Sequence, residues 1–484
     1  MKVLKNILYK VTLETVVGDT GININTIQFD SRKIDANDVF IAIRGHVVDG
    51  HDYIESALDK GASAVIVEEL PNDFRDNVTY LKVSDSSIAL AIMASNYYES
   101  PSENLKLIGV TGTNGKTTIA SLLYELFKKA GYKVGLMSTV KIIINDTVYE
   151  STHTTPDSLV INQFLHKMNV EGVEFCFMEV SSHGIHQNRT KGLHFLGGIF
   201  TNLSHDHLDY HETFSEYRDV KKMFFDELPS SSFSLVNADD KNGLFMLQNT
   251  SSKTHTYALK TIADYRARIL ENQFNGLLLN INGNEVWTKL IGNFNAYNVL
   301  AIYGTANLLG LESSEVLRLL SELESVRGRF QYLISNNITA IVDYAHTPDA
   351  LKNVLETINS IRTKNEELIT VVGCGGDRDK TKRPKMANIA SALSSKVIFT
   401  SDNPRTELPE QIIQEMEIGV APQNFKKTLS ITDRKQAIHT ACQLAQPHDI
   451  ILVAGKGHET YQEINGTRNS FDDYKILETY LKNI

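Results

Sequence analysis

The run Gly112-Thr113-Asn114-Gly115-Lys116-Thr117-Thr118, entered from an apolar stretch at 105–111, carries the residue types that grip a polyphosphate. Backbone N–H groups of a glycine-rich turn, with those at the start of the helix it opens, converge on an anion. Lys116 neutralises that anion, and the Thr117 hydroxyl can hold its Mg²⁺. The implied ligand is ATP or GTP. The run departs from G-x-x-x-x-G-K-[ST], because Val110 stands five places before Gly115 and the nearest upstream glycines are Gly109 and Gly112. An ordinary Gly/Asn turn between strand and helix is the plainer alternative; the Lys-Thr-Thr that follows at once favours the phosphate.

Glu179 closes the segment EFCFMEV, apolar enough for a strand buried on both faces. An ionised carboxylate there is costly unless a cation compensates it, and beside a nucleotide that cation is Mg²⁺; the alternative is a surface carboxylate at a strand exit. Ser181, Gln187 and Arg189 follow within ten residues of Glu179. The stretch Ser204-His205-Asp206-His207-Leu208-Asp209-Tyr210-His211 matches no recognised zinc spacing and suits Mg²⁺ or sugar-phosphate ligands equally well. Phe214, Tyr217, Lys221 and Phe224 recur at helical spacing, which puts Lys221 on an apolar stripe and Lys222 nearer solvent. A lysine on such a stripe favours its neutral amine, which reacts with CO₂ to give a carbamate, an anion able to orient Mg²⁺. By pattern alone, a lysine that snorkels to the surface is the better reading.

The elements that must position these residues read as α/β. The chain of 484 residues exceeds one hydrophobic core, and roughly three domains is the expectation. A first block at 1–101 alternates short strands such as VFIAI and SAVIVEE with a helix near 53–60, and ends at a Pro/Ser hinge. A second, at 102–331, opens with the phosphate loop and a helix over 117–130 whose Ile119, Leu122, Leu123 and Leu126 share one face before Gly131 stops it. Strands at KVGLMS, EFCFMEV and LGGIFTNL then alternate with helices, the pattern of a mostly parallel sheet. A third block, at 332–484, carries strands TAIVDYA, LITVVGC, KVIFTSD and DIILVAGKG, each running into a loop rich in Gly, charge or His.

Composition narrows the function. A net charge of −10 without a basic, aromatic-interleaved stripe argues against a general nucleic-acid binder. No segment approaches the ~20 apolar residues of a membrane span, and the amino-terminal stretch lacks a signal-peptide pattern, so a cytoplasmic enzyme is expected. Cys176, Cys374 and Cys442 lie far apart among apolar or small residues and read as reduced structural thiols. GCGG at 373–376 suggests a dinucleotide fingerprint, but Arg378 stands where its third glycine belongs.

Together GVTGTNGKTT, EVSSHG, TNLSHDHLDYH, the helix with Tyr217 and Lys221, GNFNAYN, DYAHTPD and DNPR resemble the Mur ligases of peptidoglycan synthesis, in order and over nearly the whole chain. The resemblance implies three domains: one that binds a UDP-sugar, a central phosphate-loop ATPase domain, and a Rossmann-like domain that binds the amino acid. It implies an ATP-dependent ligation of an acid to an amino acid through an acyl phosphate, within cell-wall biogenesis, cell shape and cell division. On the family pattern Lys116 reaches the β and γ phosphates, Thr117 and Glu179 hold one Mg²⁺, and His207 shares a second with Lys221 carboxylated at its amine. The two ions would shield the repulsion between phosphate and carboxylate. Asn295 and Asn298 match positions near the adenine, one of them also a candidate helix cap. Arg329, Asp343 and His346 match the surroundings of the nucleotide phosphates.

Within the family, the substrates implied are UDP-N-acetylmuramoyl-L-alanyl-D-glutamate and meso-2,6-diaminopimelate, handled by a monomer. Phe29, Ser31, His46, Val47 and Val48 match uridine diphosphate contacts. Thr154, Thr155, Ser181, Gln187 and Arg189 match contacts to the muramoyl-peptide, while His153 replaces a common Asn. Arg378, Asp402, Asn403, Pro404, Arg405, Gly455 and Glu459 match the amino-acid pocket, where a guanidinium fork suits the extra carboxylate that distinguishes diaminopimelate from lysine. L-lysine as the added amino acid, a folylpolyglutamate synthetase-like ligase and a catalytically silent nucleotide-gated binding protein are the alternatives.

Overall fold

The computed structural model describes residues 1–45, 48–151, 153–204, 210–211 and 213–483. Its α/β architecture rests on three sheets that follow one another along the chain. The first has five strands, in the order Thr15–Val17, Thr79–Lys82, Ala64–Val67, Val39–Ile41, Ile27–Gln28; all neighbours are parallel except the first pair. Its cover helix Ser86–Tyr97 is capped by Asp85, whose carboxylate accepts the Ser87 and Ile88 amides. Leu90 and Met93 pack into the sheet from this helix, which also lies against Ser158–Val170 of the next unit. Asn188 Nδ2 donates to Ser87 Oγ (2.9 Å) across the same junction.

The central sheet has eleven strands. Seven run parallel, in the order Val134–Met137, Phe175–Glu179, Lys106–Thr111, Gly197–Phe200, Phe233–Asn237, Lys253–Ala258 and Tyr265–Gln273, with an antiparallel hairpin extending each edge. Alternation along Lys106–Thr111 sends Ile108 and Val110 to one face and Leu107 to the other. The first face is covered by helices Lys116–Lys129, Asn293–Leu308 and Ser313–Glu322, the second by Ser158–Val170 and Phe214–Asp226. Ile119, Leu122, Leu123 and Leu126 are all buried, as the helical spacing predicts, and Gly131 turns the chain at φ +92°.

The last sheet has six strands, in the order Gln331–Ser335, Ile338–Asp343, Ile450–Ala454, Leu368–Val372, Lys396–Phe399 and Thr428–Ser430, parallel but for the first pair. Helices Pro348–Ile361, Lys382–Leu393 and Pro409–Glu417 cover one face and Arg434–Leu444 and Asp473–Leu481 the other. All three cysteines are buried and unpaired with one another, and burial pushes the thiols of Cys374 and Cys442 up to about 12. Among the described residues, no helix is long and apolar enough to cross a membrane.

Candidate active site

In a parallel sheet the strand ends on one side are where loops meet. The register sets Glu179 beside Val110 and Phe200 beside Thr111, so the ends of three adjacent strands deliver Glu179, the glycine loop and Thr201-Asn202 to one place. The loop is tied down by its neighbour. Asn202 exchanges two side-chain bonds with the Asn114 backbone (3.0 and 3.1 Å), and the Thr201 hydroxyl donates to the Asn114 carbonyl at 2.6 Å. A Cβ on Gly112 would lie 2.0 Å from Thr201 Oγ1, and its φ of +142° is hard for other residues, so this tether requires glycine. Lys116 Nζ curls back onto the carbonyls of Gly112 and Thr113 (2.9 and 2.8 Å).

Glu179 is fully buried, and its hydrogen bonds come from neutral donors: the Thr117 hydroxyl (3.0 Å), the Thr139 amide (2.8 Å) and the Thr139 hydroxyl (3.2 Å). Two hard oxygen donors, with a carboxylate charge that no bonded neighbour cancels, suit a divalent cation such as Mg²⁺. Arg329 reaches the same point from the approach to the last sheet, donating from Nη2 to Thr117 Oγ1 at 3.1 Å. Its Nε is buried without a hydrogen-bond partner, a donor suited to a phosphate oxygen.

Helix Phe214–Asp226 presents Lys221 from the other face of the sheet. Thr213 caps it through the Glu216 amide (3.1 Å), and Tyr217, Val220, Lys221 and Phe224 are buried. Gly109 permits the approach, since a Cβ there would stand 2.5 Å from the Phe224 ring. Lys221, 1% exposed, donates to the Gly112 carbonyl at 3.0 Å with its ammonium 4.7 Å from the Tyr217 ring. It does not snorkel to the surface. Lys222 instead pairs with Asp226 at the helix surface. His207, with His46 and Val47, lies outside the described residues.

A cleft of about 680 Å³ gathers most of the nucleotide and peptide candidates. Thr113 to Thr118, Glu179, Lys221, Asn298, Arg329, Asp343 and His346 line it, together with Thr154, Thr155, Ser181 and Arg189. Thr155 Oγ1 donates to the Glu179 carbonyl and accepts the Ser181 amide, while Arg189 reaches the Thr155 carbonyl (2.6 Å) and holds Gln187 Oε1. Asp343 accepts the Phe330 amide at 2.7 Å; burial raises its carboxyl above the usual range, against the pull of Arg329. His346 Nδ1 meets the Tyr344 carbonyl at 2.8 Å. Asn295 is not the helix cap that its place in GNFNAYN allows: Gly292 is the N-cap, and Asn295 reaches back to the Ile291 carbonyl (2.8 Å) while holding Asn298 through its Oδ1 (2.9 Å).

The amino-acid candidates form a second cluster at the strand ends of the last sheet, outside the cleft lining. Arg405 Nη1 donates to the Gly376 carbonyl (2.7 Å), and the side chains of Arg405 and Arg378 flank Gly375. Asn403 donates to Glu459 (2.8 Å), Asp402 accepts the Asn403 backbone amide (2.7 Å), and Pro404 is buried. The Gly455 amide donates to the Asp343 carbonyl (3.1 Å), joining this cluster to the cleft wall. Phe29, Ser31 and Val48 belong to the first sheet's loops and do not line the cleft; Ser31 is buried, with its carbonyl accepting from Lys60 at 2.9 Å.

Family comparisons cover all three sheets. The chain matches the catalytic domain of the Mur ligase family over residues 23–98, the Mur ligase middle domain over 110–306, and the Mur ligase glutamate ligase domain over 328–457. The chain belongs to the Mur ligase family. This Mur ligase is 54% identical over 480 residues to the UDP-N-acetylmuramoyl-L-alanyl-D-glutamate–2,6-diaminopimelate ligase of Cytophaga hutchinsonii, with 99% of each chain covered. It is 52% identical over 476 residues to the Bacteroides fragilis protein of the same name, covering 98% of each. A solved structure of a ligase so named superposes with a TM-score of 0.71 at 32% identity, over 100% of this chain and 99% of the other.

Several cleft residues of this Mur ligase are not among the candidates drawn from the motifs. Thr139, Asn202, Asp239, Tyr297, Tyr344 and Asn353 all line the cleft. Asn202 sits inside TNLSHDHLDYH and could have been found with Thr201 as one of two polar side chains just past their strand. Thr139 and Asp239 are brought in by strand order, which no local spacing announces.

Proposed function

We propose that this Mur ligase joins meso-2,6-diaminopimelate to the terminal carboxylate of UDP-N-acetylmuramoyl-L-alanyl-D-glutamate, with cleavage of ATP to ADP and phosphate. The observation that carries this reading to the amino acid is the Arg405 guanidinium, held on the Gly376 carbonyl beside Gly375, with the side-chain stem of Arg378 close by. Such a fork suits a ligand with a second carboxylate. The names of the relatives above support both substrates.

A carboxylate is a poor electrophile because its leaving group would be oxide. Transfer of the γ-phosphoryl group to a carboxylate oxygen gives an acyl phosphate and ADP. The incoming ammonium gives one proton to solvent and its amine nitrogen attacks the acyl carbon; the tetrahedral intermediate expels phosphate, the nitrogen gives up a second proton to the phosphate or to solvent, and an amide is left. Lys116, poised on two carbonyls that a triphosphate's oxygens can replace, and Arg329, with its spare Nε, bring positive charge to the transferring phosphoryl group. Thr155 and Arg189 fix the wall of the cleft along which the peptide would lie.

Thr117 and Glu179 would hold one Mg²⁺, and Lys221 as a carbamate, with His207, a second. Bound there, Mg²⁺ neutralises phosphate charge. Lys221→Ala should lose turnover that added formate or acetate partly restores, whereas Lys222→Ala should stay within about twofold of wild type. Failure of any small carboxylate to restore activity in the folded variant would count against the carbamate.

The succession of three sheets supports a division near 101 and 331, and consumption of ATP supports work in the cytoplasm, where ATP is at hand. The deciding experiment supplies ATP, the UDP-muramoyl-dipeptide, and diaminopimelate and L-lysine in equal amounts, and reads the product mass. Diaminopimelate should be incorporated and lysine rejected, because lysine brings no second carboxylate to the Arg405 guanidinium. Equal incorporation of lysine overturns the choice of amino acid, and no ligation of either overturns the reading.

A further inference from the structure

Lys456 has no exposed surface, yet it brings a charge to the strand-end cluster of the last sheet. It stands two residues past strand Ile450–Ala454. Its Nζ donates to Asn403 Oδ1 at 2.9 Å and to Glu459 Oε2 at 2.8 Å, with the Tyr461 ring centroid 5.6 Å away. Asn403 Oδ1 also accepts the Glu463 amide at 2.9 Å, and Asn403 Nδ2 donates to Glu459 Oε2 at 2.8 Å. The amide therefore has one satisfactory orientation, because a flip would aim its NH₂ at an ammonium and an N–H. Both donors to Glu459 converge on Oε2, and Oε1 enters neither bond.

An ammonium taken out of water is retained only where its partners are well placed. Here those partners are two candidate ligand-binding side chains, and the arrangement turns one carboxylate oxygen of Glu459 away from the bonds that anchor it. We infer that Lys456 is a positioning residue of the amino-acid pocket: it locks Asn403 and Glu459 so that Glu459 Oε1 faces an ammonium group of the incoming diamino acid. The inference rests on the ligase reading above. Lys456 does not itself meet the ligand in this arrangement; it acts through the two side chains it holds.

A pocket whose walls are held by a buried charge loses affinity for its own ligand when that charge goes, while distant sites keep theirs. In steady-state assays, Lys456→Met should raise the KM for diaminopimelate about 10- to 100-fold, the worth of hydrogen bonds to charged groups. The KM values for ATP and for the UDP-muramoyl-dipeptide should stay within about twofold. A purely structural lysine would instead lower the active fraction, moving kcat and leaving every KM in place. If Lys456→Met does not fold, Lys456→Gln, which keeps a donor but not the charge, is read by the same split; if neither folds, Lys456 is structural and the inference falls. An unmoved diaminopimelate KM in a folded variant overturns the inference alone, whereas wild-type protein that ligates no diamino acid overturns the ligase reading and the inference with it.

Discussion

Glu179 in the central sheet and Asp473 beneath the last sheet are both fully buried carboxylates, and they are surrounded in opposite ways. Asp473 takes both its strong bonds from the equally buried guanidinium of Arg434, at 2.9 and 2.8 Å. Arg383, likewise buried, is matched by Glu407 and Glu415, and Lys456 by Glu459. Glu179 receives hydrogen bonds from two threonine hydroxyls and an amide, none of which cancels its charge. These pairs of the last sheet settle their charges internally and gain fixed geometry; Glu179 in the central sheet is left open beside a phosphate loop, where a cation can complete it. A buried carboxylate is thus informative about ligands only once its partners are known.

The largest effect should come from breaking an internally settled pair. Asp473→Ala strands Arg434 in the interior and should cost about 3–5 kcal/mol of stability, measured by chemical denaturation. A loss under about 1 kcal/mol would erase the contrast between the two regions. Glu179→Gln tests the other side. Glutamine can still accept the Thr139 amide while the two hydroxyls reorient, so stability should change by no more than about 1 kcal/mol. Turnover should fall about 10²- to 10³-fold, the scale for removing one electrostatic group from such a site. Near-normal turnover in the folded variant would mean that the open charge serves no ligand.

His458 adds a third way of keeping a polar group inside, which is to keep it neutral. Burial, with the charges of Arg329 and Arg327, lowers its pKa to about 3, and its Nδ1 has no hydrogen-bond partner. An unfolded histidine takes up its proton below about 6.5, whereas the folded one stays unprotonated down to about 3. The unfolded state therefore binds more protons in that window, and stability is lost as pH falls through it. At pH 5 the loss should be about 2 kcal/mol relative to neutral pH. Denaturation of wild type and His458→Asn at both values isolates this contribution, and parallel pH profiles would show that His458 is free to charge.

The phosphate loop was legible because its residues are consecutive: a turn, a helix start and a lysine lie within 112–118, and local geometry decides where their groups go. Lys221 was half legible. The stripe of Phe214, Tyr217 and Phe224 puts it on the buried face, but the same stripe permits an amine that bends back to water, and only the Gly112 carbonyl and the close approach at Gly109 show that it does not. Glu179 was placed correctly at a strand end, yet the neutrality of its partners depends on Thr139, which arrives from the neighbouring strand. Lys456 lay in plain sight in GKGHE, but a lysine in a glycine-rich loop reads as solvent-exposed, and its burial depends on Asn403, more than fifty residues earlier. Asn295 shows the reverse error: an asparagine near a helix start suggests a cap, and Gly292 takes that place instead.

The three buried cysteines make this protein convenient to label. Thiolate is the reactive species, and burial holds all three thiols well above the range in which thiolate forms at neutral pH. A single cysteine introduced on the surface would therefore be the one site that a maleimide dye modifies quickly, with no need to remove the native residues. One dye on the helix Ser86–Tyr97 and another on Asp473–Leu481 would make the distance between the first and last sheets an optical signal, readable while substrates are added one at a time.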